Sequence, residues 1–196
     1  MNEDLDELQN QIQICTKCSL NLSRKRAVPG EGNEKAKIML VGQCPGDQEN
    51  EIGRPFVGPA GVLLGRLISG IRLKRRDLWL TNVVRCIPPG RLPHSSEIKT
   101  CAPFLLEEIK IIKPKIVCPL GNIALSLLLR KPAQIHQFRG KPIPTHSYFL
   151  FPALHPAAAL RQSNLMPQVE EDFRNLKAFI DSNPVLEPPP GQESLF

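Results

Sequence analysis

The ten residues KIMLVGQCPG, at positions 37–46, decide the fold that this sequence predicts. Their first half is a short, continuous apolar run, and their second half is rich in glycine and proline. A run of this length without polar interruptions is typical of a strand buried on both faces of a sheet. The glycines and the proline that follow indicate a tight loop at the end of that strand.

The rest of the chain alternates between strand and helix patterns. Further strands are predicted over residues 78–84, 116–120 and 148–154, and helices over residues 4–14, 57–71, 95–112, 122–129 and 167–180. Apolar strands that alternate with helices form a mostly parallel sheet with helices on both faces. The sequence therefore predicts an α/β fold, a three-layer α/β/α domain with a central, mostly parallel four-stranded sheet.

Length and composition fit one such domain. The chain has 196 residues, of which 41% are hydrophobic and 22% charged, so it can bury a sizeable core. We expect the domain to span residues 1–181, with a Pro-rich linker over 182–191 and a separate tail over 192–196. No apolar run approaches the roughly 20 residues of a membrane span, and the acidic N-terminus does not resemble a secretory signal. We expect a soluble cytoplasmic monomer.

The distribution of charge favours a polyanionic partner. Lysine and arginine total 25 against 19 aspartates and glutamates, a formal net charge of +6. The surplus is clustered at residues 24–26, 72–76, 130–131 and 139–141. Clustered cations suit nucleic acid, because neutralising phosphates releases counterions. The alternative is a solvated face together with ordinary cations at helix C-termini.

Polar residues follow three of the predicted strands. Residues 42–46 follow the first strand, Asn82 lies near the end of the second, and His155 follows the fourth. Ligands of open parallel sheets bind beyond the carboxyl ends of the strands. This pattern indicates a small polar pocket for a planar heterocycle. Taken singly, Asn82 could satisfy a turn and His155 could be structural.

Four of the six cysteines form a candidate metal site: Cys15, Cys18, Cys86 and Cys101. A local Cys-x-x-Cys pair with two separated cysteines fits a tetrahedral four-sulfur site, either zinc or an iron–sulfur cluster. The alternatives are that only the Cys-x-x-Cys pair binds metal, or that all are unrelated thiols. Cys118 lies in an apolar strand and is expected to be a core thiol. Cys44 lies in the pocket loop, where it could simply fill space.

Four ordered blocks resemble the iron–sulfur-containing family-four uracil-DNA glycosylases, from about residue 15 to residue 180. The first block is GQCPGDQE (42–49) with GRPFVG (53–58), and the second is TNVVRC (81–86) with PPG (88–90) and Cys101. The third is LHP (154–156) with AAALR (157–161), and the Cys-x-x-Cys pair completes the set.

The resemblance implies a uracil-DNA glycosylase of base-excision repair with a [4Fe–4S] cluster on the four cysteines. It implies that the base is flipped out of the DNA into a pocket lined by the backbone of residues Gly42, Gln43 and Cys44. Phe56 would stack on the base, and Asn82 would read its edge, because an amide can donate to O4 and accept from N3–H. His155 would hydrogen-bond O2 and stabilise the charge on the departing uracil.

One departure concerns Gln43, where the family usually carries glutamate. Acid–base roles would then fall to other carboxylates, and Asp47 and Glu49 could position water or stabilise the sugar cation. Their alternative role is capping of a helix or loop. Gln43 also motivates a rival, a non-catalytic or covalently trapped binder of uracil-DNA, in which His94 would be the crosslinking residue. A second rival is an iron–sulfur redox protein, although such a protein needs neither Asn82 nor His155.

DNA contacts are expected beyond the pocket. Leu160 and Arg161 could form a tip that inserts where the base leaves the stack, or an ordinary connection to the last helix. Arg161, Arg24 and Arg26 are candidates for phosphate contacts. The tail QESLF resembles the Gln-x-x-Leu-Phe peptide that binds the bacterial sliding clamp, through Gln192, Leu195 and Phe196. The alternative is that the tail folds back on the domain.

Overall fold

A six-stranded sheet forms the middle of the computed structural model, which describes residues 2–186. The strands are β1 (Glu31–Gly32), β2 (Ile38–Gly42), β3 (Trp79–Asn82), β4 (Ile116–Pro119), β5 (Ile143–Pro144) and β6 (Phe149–Leu150). They lie in the order β1-β3-β2-β4-β6-β5. The middle four are parallel, whereas β1 and β5 pair antiparallel at the two margins. The mostly parallel sheet is confirmed, with two additional strands of two residues each.

Helices cover both faces of this sheet. They are α1 (Glu3–Gln13), α2 (Leu20–Ser23), α3 (Asp47–Ile52), α4 (Pro59–Gly70), α5 (Ser95–Ile112), α6 (Asn122–Leu129), α7 (Ile135–Phe138), α8 (Pro156–Arg161) and α9 (Met166–Asp181). Short 3₁₀ turns lie at Arg75–Asp77 and Ser163–Leu165. None of the helices within the described residues is long and apolar enough to cross a membrane.

Side chains of β2 that point alternately to the two faces of the sheet explain the three layers. All five of its residues are buried. Ile38 and Leu40 pack into a core with α4, α8 and α9, whereas Met39 and Val41 pack into a second core with α1 and α5. Successive side chains of a strand point to opposite faces, so an unbroken apolar run supplies both cores at once. The predicted three-layer α/β/α architecture is confirmed.

The last helix, α9, ends at Asp181, where the predicted domain ends. The sliding-clamp peptide predicted for Gln192, Leu195 and Phe196 lies outside the described residues, as does the second half of the predicted linker. The division into domain, linker and tail therefore stays a prediction.

Candidate active site

The site begins where β2 and β3 end side by side at the carboxyl edge of the sheet. Gly42 and Asn82 are direct partners in the parallel ladder. A Cβ at Gly42 would lie 2.3 Å from Asn82 Oδ1 and 2.7 Å from Cζ of the Phe56 ring, so only glycine allows the three residues to meet. Asn82 is 3% exposed, and its Oδ1 faces the space above Gly42 that a Cβ would fill. An amide that faces an open space at a strand end can donate to and accept from a ligand.

Phe56 lies between the strand ends and His155. Its ring centroid is 6.1 Å from that of His155, with 27° between the ring planes. The backbone of Phe56 has φ +54°, in the left-handed region that a bulky residue rarely adopts. Backbone strain of this kind persists only when the surroundings hold it, and it is concentrated at functional sites.

Two features hold the strained backbone of Phe56. The Arg75 guanidinium donates hydrogen bonds to the carbonyl oxygens of Pro55 and Phe56, the second at 2.8 Å. Gly61 packs so closely that a Cβ there would lie 2.0 Å from the Phe56 oxygen. Sequence analysis did not single out Arg75, because it lies inside the basic run 72–76 and resembles its exposed neighbours.

Glu49 braces the same loop from the other side. Its Oε1 accepts hydrogen bonds from the backbone N–H groups of Val57 at 2.9 Å and Gly58 at 2.8 Å. Its Oε2 accepts one from Gly46 at 3.1 Å. This arrangement matches the capping alternative for Glu49. Asp47 is exposed at the first position of α3, so it is the less engaged of the two predicted carboxylates.

His155 is the N-cap of α8, and its Nδ1 accepts a hydrogen bond from the Ala157 N–H at 3.1 Å. With Nδ1 as acceptor, the neutral ring carries its proton on Nε2, which can donate to a ligand. Burial, and to a smaller extent the positive charge of Arg161, lower the pKa of His155 to about 4. His155 is therefore a neutral hydrogen-bond donor at physiological pH.

Asp172, which sequence analysis did not single out, supports the residue before His155. Its Oδ2 accepts a hydrogen bond from the Leu154 N–H at 2.8 Å, and its Oδ1 pairs with Arg139 at 2.9 Å. Asp172 lies in α9 between Val169 and Phe173, all on the buried face. A carboxylate on the apolar face of a predicted helix was the signal that could have found it, because buried charges need partners.

Gln43 and Cys44 line the loop that follows β2. The Gln43 amide Nε2 contacts Cys44 Sγ at 3.7 Å, and both residues are partly buried. Burial raises the pKa of the Cys44 thiol to about 11. Cys44 is thus a neutral thiol.

The four predicted metal ligands come together on the other side of the sheet. Cys15 follows α1, Cys18 precedes α2, Cys86 follows β3, and Cys101 lies in α5. All four line one small cavity of about 10 Å³. Within residues 2–186, no group of three or more His, Cys, Asp or Glu side chains is arranged to hold a single metal ion.

Two N–H donors point at these sulfurs. Arg24 Nη1 donates to Cys86 Sγ at 3.0 Å, and the Arg85 backbone N–H lies 3.3 Å from Cys101 Sγ. Burial raises the pKa of Cys101 to about 11 and that of Cys86 less strongly, since Arg24 opposes the effect there. Four thiols with N–H donors at two sulfurs match the chemistry of iron–sulfur ligation, in which hydrogen bonds to sulfur tune the cluster.

The predicted DNA-contacting residues differ in their surroundings. Arg24 is turned toward the cysteines and also donates to the Gln13 carbonyl oxygen at 3.0 Å. Arg26 and Arg161 are exposed, and Leu160 is 50% exposed in the last turn of α8. The segment after His155 is therefore a short helix rather than a bare loop. The phosphate and wedge contacts stay predictions.

His94 is exposed and forms the N-cap of α5. Its backbone N–H donates to Glu97 at 2.7 Å, and the Arg91 guanidinium binds the same carboxylate at 2.9 and 2.7 Å. The hydrogen bond from Arg91 lowers the pKa of Glu97 to about 2. This ion pair fixes the loop that carries His94 against α5.

Comparison with known proteins assigns the family. The family model of the uracil DNA glycosylase superfamily matches residues 29–179, so the chain belongs to this superfamily. A type-4 uracil-DNA glycosylase of Saccharolobus solfataricus is 42% identical over 193 residues, which cover 93% of this chain and 89% of that protein. A type-4 enzyme of Thermotoga maritima is 40% identical, covering 91% and 96%. Within the superfamily the chain belongs to the type-4 family, and the predicted resemblance is confirmed.

A more distant relative matches a smaller part of the chain. A type-5 uracil-DNA glycosylase of Thermus thermophilus is 37% identical over 134 residues, covering 58% of this chain and 60% of that protein. The type-4 proteins match nearly the whole chain at slightly higher identity.

Proposed function

We propose that this protein hydrolyses the N-glycosidic bond between uracil and deoxyribose in DNA, as a step of base-excision repair. One observation carries the proposal: in a type-4 family member, Asn82 and the Phe56 ring meet at Gly42, and the His155 ring lies beside Phe56 with 6.1 Å between the ring centroids. An amide, an aromatic face and a neutral donor are what a flipped pyrimidine needs.

Recognition of uracil rests on Asn82. Its amide donates to O4 and accepts from N3–H, and cytosine presents the opposite pattern at these two positions. Binding cytosine would leave the buried amide unpaired, and such mismatches give strong discrimination. Phe56 stacks on the base, while the backbone of Gly42, Gln43 and Cys44 lines the pocket.

Bond cleavage rests on His155. The C1′–N1 bond breaks, its electron pair leaves with uracil, and the negative charge spreads to O2. The Nε2–H of His155 donates to that oxygen, as an oxyanion-hole donor does. Water adds to C1′, and the proton that it loses passes through solvent to the uracil anion, which leaves an abasic site and free uracil. Because Gln43 is not ionisable and Glu49 accepts three backbone N–H bonds, Asp47 is the carboxylate proposed to position this water.

The test uses a labelled oligonucleotide with one uracil. After incubation, alkali should cut the strand at the uracil position, while a thymine control stays intact. A shifted, heat-stable band would instead show covalent capture, with His94→Ala as the next variant. Bound but unaltered DNA would leave a non-catalytic binder.

We also propose that Cys15, Cys18, Cys86 and Cys101 hold a [4Fe–4S] cluster. When bound, the cluster would supply a covalent link between the N-terminal segment and α5, with no part in bond cleavage. Support comes from the four thiols around one cavity and from the N–H donors at Cys86 and Cys101. Protein purified without oxygen should contain iron and sulfide and lose both in the variant Cys101→Ala. Cys118→Ala is the control, and a colourless zinc protein would refute the cluster.

The contacts with DNA outside the pocket and with a sliding clamp are proposed from the positions of the residues. Leu160 would enter the stack where uracil leaves, and the exposed Arg161 and Arg26 would contact phosphates of DNA in the cytoplasm. Arg24 is not proposed for this role, because its guanidinium bonds Cys86 and the Gln13 carbonyl oxygen. The tail, through Gln192, Leu195 and Phe196, would bind a sliding clamp while the enzyme acts as a monomer. Deleting residues 192–196 should weaken clamp binding and leave excision on short DNA intact. Unchanged clamp binding would dismiss the tail.

A further inference from the structure

The edge of the sheet opposite the candidate active site is lined with cations. The parallel strands β2, β3 and β4 all begin there, so the segments that precede them share this edge. We call the following exposed residues of these segments and of the end of α6 the basic edge: Lys35, Lys37, Arg72, Lys74, Arg76, Lys113, Lys115, Arg130 and Lys131.

Backbone contacts place Lys37 and Lys115 side by side on this edge. The Lys115 N–H donates to the Lys37 carbonyl oxygen at 2.9 Å, and the Lys115 carbonyl accepts from Phe149 at 2.9 Å. Neighbouring strands lie about 4.8 Å apart. Arg130, the C-cap of α6, carries a charge that opposes the rise that burial causes in the pKa of Tyr148, the residue before β6.

The basic edge lacks internal compensation. None of its cations forms an ion pair with a carboxylate in residues 2–186. The carboxylates in the same segments are Glu34, which accepts from the Asn2 N–H, and Asp77. Like charges on adjacent strands repel each other, so the free protein is less stable for carrying them.

Three of the cations also occupy strained backbone positions. Arg72, Lys113 and Arg130 have φ of +60°, +50° and +54°. Glycine or asparagine fits such positions after a helix at lower cost. The helix dipole favours cations at helix C-termini, but that effect does not explain Lys37 and Lys115, which precede strands.

We propose that the basic edge binds the phosphate backbone of a second segment of DNA while the carboxyl edge holds the uracil. The edges are separated by the strand length, roughly 15 Å, so each faces its own segment. Within residues 2–186, the large exposed hydrophobic residues all lie outside segments 35–37, 72–76, 113–115 and 130–131, so the basic edge offers no apolar anchor for a docked peptide. Phosphates need only cations, and their counterions are released on binding.

The experiment measures affinity for uracil-free duplex DNA against salt concentration, with the full-length protein. In the double variant Lys37→Gln/Lys115→Gln, the slope of log affinity against log salt should fall by about 2, one for each lost phosphate contact. The control Arg174→Gln/Lys177→Gln removes the same charge from α9, where both cations already pair with carboxylates, and its slope should stay near the wild-type value.

A bridging assay gives the second readout. Two duplexes that carry different fluorophores should show energy transfer with wild-type protein, and the Lys37/Lys115 variant should lose it while still excising uracil from a short oligonucleotide. An unchanged salt slope, or a single DNA bound per protein, would overturn the proposal. Binding of polyglutamate, a model of an acidic protein, should be measured for the same variant. If the variant lost polyglutamate binding and bound DNA as the wild type does, the proposal would be overturned in favour of an acidic protein. Loss of excision alone would concern the active site and not the basic edge.

Discussion

At the scale of single residues, the groups that would touch uracil are held by neighbours that do not reach it. Asn82 offers its amide because Gly42 leaves room for it. His155 is neutral because burial disfavours its charged form, and its tautomer is fixed by the Ala157 N–H. Phe56 keeps a strained backbone because Arg75 and Gly61 lock it in place.

The state of His155 gives the first prediction. With a pKa of about 4, the ring stays neutral from pH 5 to 8, so the single-turnover excision rate should show no midpoint near 6.5. Below about pH 4, protonation of Nδ1 would break its bond with Ala157, and the rate should fall. The variant His155→Ala should lose on the order of 10²–10³ in rate at neutral pH. A midpoint near 6.5 that vanishes in the variant would contradict the neutral donor.

Arg75 gives the second prediction, as a positioning residue for Phe56. In Arg75→Ala the stacking ring loses its fixed position, so inhibition by free uracil should weaken roughly tenfold or more, the equivalent of one charge-assisted hydrogen bond. The matched control is Arg76→Ala, since Arg76 is exposed, and Arg75→Lys should recover part of the effect. Equal uracil inhibition in both alanine variants would show that Arg75 only supports the fold.

At the scale of elements, a buried ion pair joins β3 to α5 between the candidate active site and the cysteines. Arg85 and Glu108 are 1% and 0% exposed, with 2.9 Å between Nη2 and Oε2. Arg85 also bonds Thr81 in β3, and Glu108 accepts from the Gly30 N–H at 3.1 Å. The pair thus fixes the helix that carries Cys101 to the strand that ends in Asn82.

Removing one partner of this pair should be costly. Glu108→Ala leaves the Arg85 charge buried and uncompensated, and the free energy of unfolding should fall by about 3–5 kcal/mol. Glu107→Ala next to it breaks only an exposed pair with Lys110 and should change stability by less than about 1 kcal/mol. Urea unfolding of both variants measures the difference, and equal losses would refute the link.

The elements with long apolar patterns were predictable from the sequence, and the short ones were not. The helix predicted over 122–129 has the same bounds in the structure, and that over 167–180 differs by one residue at each end. β1 and β5 have two residues each, too few to show a period. α3 was missed because its residues 47–52 are mostly polar and belong to the loop motif.

The same contrast holds for the site. Asn82 and His155 could be predicted because they follow strands, and strand ends meet at one edge. Arg75 and Asp172 could not be assigned roles, since both act through contacts with backbone that is distant in sequence. Spacing brings residues to an edge of the sheet, but it does not say which way a side chain turns.

At the scale of the whole molecule, the parallel sheet keeps three groups of functional residues apart. The carboxyl edge carries the candidate uracil pocket, the opposite edge carries unpaired cations, and the cysteines lie on the face covered by α1 and α5. This separation allows each to be changed without the others. A glycosylase that must find rare uracils gains from contacts that hold DNA independently of the base.

The most direct measurement compares free uracil released from DNA by the wild-type protein and by Asn82→Ala, on substrates that carry uracil, thymine or cytosine at one position. The account predicts release of uracil alone by the wild type, and release at least 100-fold slower by the variant at similar DNA affinity, because the variant cannot pair with the base edge. Undiminished release by Asn82→Ala, or no release by the wild type under conditions where DNA is bound, would contradict it.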